Sequence, residues 1–106
     1  MKVKLSHFRK FVTTAGTREQ LTTAGLHVQA VNIQAESDNT GRVFVGDSTV
    51  SSSNCFASLG AGSAATISGA DFGLADAMID LSSIWLDVGT STDGVFVGYV
   101  ERLTEN

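Results

Sequence analysis

Proline does not occur in this sequence, and cysteine occurs once, at Cys55. A lone cysteine excludes an internal disulfide framework and any multi-cysteine zinc site. Without proline, and with 11 Gly, 12 Ser and 11 Thr, the composition argues against a linker and for short strands joined by small polar loops. Apolar runs reach three or four residues, against the roughly 20 that a membrane-spanning helix requires, so no span is expected. The start, Met1 to His7, carries positive charge with no apolar block behind it, which predicts no secretory leader. At 106 residues and 11.1 kDa, residues 1–106 read as a single β-domain, and 42% hydrophobic residues supply a modest core.

Acids are missing from residues 1–18. Lys2, Lys4, Arg9, Lys10 and Arg18 give that segment five positive charges, whereas Arg42 and Arg102 stand against all 11 acids of the remainder, so a +5 segment precedes a −9 body. A nucleic-acid binder usually has a basic footprint over the whole domain, so no nucleic-acid partner is expected. Residues 1–18 form either a basic N-terminal arm, with those five side chains as candidate partner-binding residues, or a first strand whose charges face water.

Hydrophobic periodicity supplies the fold class. Val3 and Leu5 alternate with Lys2, Lys4 and Ser6, and Phe8, Phe11 and Val12 continue with a change of phase, which predicts a strand with a bulge and Val3 and Leu5 inward. Residues 26–30 alternate, then Val31, Ile33 and Ala35 alternate in the opposite phase. The slip near Ala30 predicts a second bulge or a strand that changes sheets. The turn composition of residues 36–41 precedes Val43-Phe44-Val45-Gly46, and residues 89–94 precede Val95-Phe96-Val97-Gly98, which predicts two hairpins of one design; the repeated tetrapeptide reads either as a sign of two related halves or as a chance recurrence of a common strand composition. Residues 56–59 and 64–68 read as further strands, and residues 71–80 as a short helix or an ordered loop. The class is all-β: a β-sandwich or jelly-roll-like Greek key with at most one short helix.

Chemistry is thinly represented. His7 and His27 occupy polar positions of two strands, and a two-His metal site would need a nearby carboxylate. Cys55 has no flanking cation to activate it and reads as a small buried hydrophobe. Asp71, Asp76, Asp80 and Asp87 do not match a calcium loop, and Gly60-Ala61-Gly62 lacks the lysine and helix of a phosphate-binding loop. No catalytic constellation emerges, so no enzyme activity, metal or cofactor is expected. One surface feature does. If Ile84, Leu86 and Val88 face the core with Val95, Val97 and Tyr99, the far side of that hairpin carries Trp85, Phe96 and Val100, a candidate oligomer or capsid interface.

The strings Leu21-Thr22-Thr23-Ala24-Gly25-Leu26, Val31-Asn32-Ile33-Gln34-Ala35, Asn39-Thr40-Gly41, Val43-Phe44-Val45-Gly46-Asp47-Ser48-Thr49-Val50, Leu59-Gly60-Ala61-Gly62-Ser63 and Ile84-Trp85-Leu86-Asp87 before Gly94-Val95 resemble small structural proteins of tailed bacteriophages. The resemblance covers about residues 15 to 100. It implies a non-enzymatic virion protein, foremost a capsid decoration or cement protein. Such a protein binds the major capsid protein on the outer capsid surface and associates as a homotrimer. The alternative is a tail or neck module recognising carbohydrate, for which Trp85 with Asp87 is the candidate platform. A small hydrolase ranks third, since no acid/base pair is identifiable.

Overall fold

The computed structural model of the chain describes residues 2–69 and 77–103. Ten strands follow in order: β1 (Lys2–Phe11), β2 (Glu19–Gln20), β3 (His27–Val28), β4 (Ala30–Ala35), β5 (Val43–Gly46), β6 (Ala57–Leu59), β7 (Ala64–Ser68), β8 (Ile79–Asp80), β9 (Trp85–Val88) and β10 (Gly94–Leu103). The only helical element among the described residues is a 3-10 turn, Leu81–Ser83, capped by the Asp80 carboxylate, which accepts from the Ser82 amide at 2.9 Å. The class is all-β, as the alternating segments predict.

Two four-stranded sheets make the sandwich. The first has the order β1-β10-β4-β7 and the second β2-β9-β5-β6, every pair antiparallel, while β3 and β8 form a two-stranded ribbon. Val31, Ile33, Val95 and Val97 point inward from the first sheet and Val43, Val45, Leu86 and Val88 from the second, all at most 2% exposed. Among the described residues no buried side-chain nitrogen or oxygen lacks a hydrogen-bond partner.

The two sheet orders match strand for strand, because β1 leads to β2, β9 to β10, β4 to β5 and β6 to β7 across the sandwich. The fold is therefore a stack of four arches whose corners, residues 12–18, 89–93, 36–42 and 60–63, lie at one end. This corrects the two predicted hairpins: β4 and β5 belong to different sheets, as do β9 and β10. Alternation cannot separate the two cases, since a strand buries every second residue whether its neighbour in sequence lies beside it or opposite it. Polar side chains bolt the corners together. The Asp93 carboxylate accepts from the amides of Thr40 at 3.2 Å and Gly41 at 2.7 Å, and the Asn39 side chain donates to the Gly94 carbonyl and accepts from its amide. The two Val-Phe-Val-Gly segments are both interior strands, one in each sheet.

The phase slip near Ala30 is real. β3 pairs with β8 and β4 with β10, and Gln29 between them donates to the Val100 carbonyl at 3.0 Å, so Gln29 and Ala30 share one partner as in a bulge. The predicted bulge in β1 is absent: its register with β10 runs unbroken from Lys2↔Leu103 to Phe11↔Gly94. The predicted inward placement of Val3 and Leu5 is also overturned. Phe8 lies opposite the buried Val97, so even-numbered residues of β1 face the core and odd-numbered ones face outward. Of the ambiguous stretch 71–80, residues 71–76 lie outside the described residues, and Ile79–Asp80 form a strand.

Candidate partner-binding surface

Opposite residues of an antiparallel pair share a face, so the registers assign the outer surface of the first sheet. β1 contributes Val3, Leu5, His7, Arg9 and Phe11; β10 contributes Phe96, Gly98 and Val100; β4 and β7 add small or uncharged side chains such as Asn32, Gln34 and Thr66. Val3, Leu5, Phe11 and Phe96 are 49%, 73%, 46% and 45% exposed, and they are four of the six large exposed hydrophobics among the described residues. Val100, half-buried, sits directly across from Leu5.

A cation is built into this face. The Arg9 guanidinium lies 4.6 Å from the Phe11 ring centroid and 5.4 Å from that of Phe96, and it donates to the carboxylate of Glu36, a residue only 4% exposed. The stack holds both rings in place and ties β1 to the 36–42 corner. Lys10 points to the other side and donates to Glu19 Oε1 at 2.9 Å, while the Thr13 amide donates to Oε2 at 2.8 Å. These bonds, Lys10's first, hold the Glu19 carboxyl below its ordinary pKa. Arg18 donates to the Val50 carbonyl at 3.4 Å. Residues 2–18 are thus a first strand and the corner behind it rather than a free arm. Lys2 and Lys4 are the two of its five cations whose side chains make no hydrogen bond or ion pair among the described residues.

The structure separates Trp85 from Phe96 and Val100. Trp85 lies half-buried on the second sheet, opposite Gln20 and Gly46, on the other side of the molecule from Phe96. A surface combining all three, as the hairpin implied, does not form, because β9 and β10 belong to different sheets. The Trp85–Asp87 sugar platform does not form either. Asp87 is 6% exposed, and its Oδ1 accepts from the amides of Gly16 and Val88.

Phe44 and Phe96 hold the same position in the two Val-Phe-Val-Gly strands, each on the outer face of its sheet. Phe44 is 8% exposed and Phe96 45%. On the Phe44 side the 12–18 corner folds over the neighbouring Asp87, through the Gly16 amide, and no such cover reaches Phe96 among the described residues. Sequence reasoning placed Phe96 and Val100 on an outer face, where the registers put them. It missed Val3, Leu5 and Phe11, for which the signal was the phase set by Phe8 and Val12.

Elsewhere, His7 lies on the same outer face beside Gly98, and His27 stands 4.0 Å from Asp80 on the β3–β8 ribbon. Cys55 is exposed, contrary to the burial expected of it, and borders a cleft of about 450 Å³ between the sheets, with Val45, Phe56, Ile67 and Ile84. Asp47, at its rim, is held below its ordinary pKa by the Thr49 hydroxyl and amide. Asp71 and Asp76 lie outside the described residues. Comparison with protein-family models, with curated proteins and with solved structures finds no match for this chain.

Proposed function

We propose that the protein is a non-enzymatic structural protein of a tailed-bacteriophage virion, a capsid decoration protein that binds the major capsid protein on the outer shell. The phage assignment rests on the resemblance over residues 15 to 100. The binding role rests on the unequal cover of Phe44 and Phe96, which leaves the Val3-Leu5-Phe11-Phe96 face open. An exposed apolar stripe around a fixed cation is the kind of surface that a protein partner covers, and aromatic and arginine side chains dominate the energetics of such contacts. A homotrimer on the shell and attachment helped by Lys2 and Lys4 belong to the same proposal.

Labelling of virions with an antibody to the protein, followed by imaging, tests the location: density on the head supports the reading and density confined to the tail overturns it. Binding of purified protein to undecorated shells tests the face. Phe96→Ala should fold normally and lose about tenfold or more in affinity, as a central aromatic contact does. A second reading, a tail or neck module for carbohydrate, draws on a polar recess of about 220 Å³ beside Phe11, bordered by Asp38, Asn39 and Thr92. Glycan-array binding abolished by Phe11→Ala would favour it.

A further inference from the structure

Among the described residues, β1 has a partner on one side only. β10 pairs with all ten of its residues, and the order β1-β10-β4-β7 leaves its other side without a strand. Half of its backbone N–H and C=O groups therefore point sideways, away from the sheet. Native edges are commonly blunted by shortness, bulges, proline or charged side chains, and of these the strand carries only the last, in Lys2, Lys4 and Lys10. This edge is ten residues long, its register is unbroken, and proline is absent.

Just past the end of β1, the Glu19 carboxylate accepts from the Thr13 amide and from the Lys10 side chain. The stretch away from that clasp runs over residues 2–8. Its faces alternate, with Val3 and Leu5 exposed on the outer side and Lys2, Lys4 and Ser6 on the other. Glu101 lies across from Lys4 in register, but no salt bridge joins them, and Lys2 lies across from Leu103. We propose that this edge accepts an extended segment of a partner protein as a fifth strand of the sheet. That segment alternates apolar side chains, which meet Val3 and Leu5, with acidic ones, which meet Lys2 and Lys4. Backbone hydrogen bonds supply the pairing, and the alternation selects the sequence, as in other strand additions.

The charges give a second copy of β1 no advantage in that place. A two-fold axis normal to the sheet sets residues of equal parity opposite one another. Centred on Leu5, the middle of that stretch, it places Lys2 against Phe8 and Lys4 against Ser6, which leaves both lysines without a counter-charge, and centred on Ser6 it places Lys2 against Lys10. Like charges directly opposite destabilise a cross-strand pair. An acidic strand meets the same lysines with the favourable sign.

The inference stands apart from the virion role, and its test contains no capsid. Uniformly 15N-labelled protein is mixed with an acetylated, amidated eight-residue peptide of alternating valine and glutamate, and amide hydrogen exchange is read by NMR. The expected result is slowed exchange at alternate residues within 2–8, with the β4 and β10 amides unchanged as the internal control of folding. Binding should be lost when the peptide amides along one edge are N-methylated and retained when those along the other edge are. The double variant Lys2→Gln/Lys4→Gln should bind about tenfold more weakly. No slowing within 2–8 overturns the proposal, as does equal binding by both N-methylated peptides or by a valine–lysine peptide. Slowing that depends on protein concentration without peptide overturns it in favour of a second copy. Shell binding by a protein whose β1 ignores the peptide would defeat this inference and leave the capsid reading standing, and the reverse result would do the opposite.

Discussion

Thr92 adopts φ 73°, the left-handed region, and is the one non-glycine residue to do so among the described residues. A β-branched side chain is strained there, and the bonds around it impose the conformation: its amide donates to the Val12 carbonyl at 2.9 Å, and the Asp93 amide donates to Thr90 at 3.2 Å. Thr92→Gly keeps those bonds and relieves the strain. We expect a gain of about 1 kcal/mol, read as a raised urea midpoint with unchanged m-value. Gly94 has the opposite sensitivity. A Cβ there would sit 2.6 Å from the Lys10 carbonyl oxygen and 2.8 Å from Glu36 Oε2. The first of these is backbone and cannot step aside, so Gly94→Ala should cost about 1–3 kcal/mol. At Gly98, on the open face, a Cβ meets nothing within 4 Å, and Gly98→Thr should leave the midpoint unchanged or raise it.

The first arch carries an acid-sensitive clasp. The bonds from Lys10 and Thr13 lower the pKa of Glu19, so its ionised form is favoured in the folded state. That stabilisation is complete above the unfolded carboxylate value and is lost as pH falls through the lower folded one. Asp47 and Asp80 shift the same way, through Thr49 and Ser82. The denaturation midpoint should therefore fall as pH drops from about 4.5 towards 3. Glu19→Gln should flatten part of that slope. At neutral pH it should cost no more than about 1 kcal/mol, since the pair is part-exposed, with side chains 27% and 29% accessible. A midpoint in the Glu19→Gln protein with the same pH slope as wild type would show that the clasp contributes nothing.

For the molecule as a whole, the open face predicts association. A surface bearing Val3, Leu5, Phe11 and Phe96 on a chain of this size favours assembly, and a closed ring is built from head-to-tail contacts. Light scattering at tens of micromolar should give a trimer mass. A monomer mass would overturn the trimer. Added salt should weaken shell attachment by Lys2 and Lys4 while leaving the Arg9 stack, closed over a buried carboxylate, in place.

Alternation in residues 31–35, 43–46 and 95–98, together with small polar turns, was enough for an all-β chain, because a side-chain period of two is a local property of the strand. The break at Gln29 was legible for the same reason: a phase slip has no other cheap local explanation than a bulge or a change of sheet. The charge asymmetry could be counted, but not its fate, since Glu36 and Glu19 reach Arg9 and Lys10 only after the chain has folded. Pairing was beyond local reach too. Hairpin and arch bury the same alternate residues, and the choice between them depends on contacts distant in sequence, such as Asp93 with Gly41. So too with Phe44 and Phe96. Identical neighbours in sequence give both an outward position, yet the first is 8% exposed and the second 45%, a difference that arises in the tertiary structure, where the 12–18 corner reaches the outer face of the second sheet at Asp87, across from Phe44.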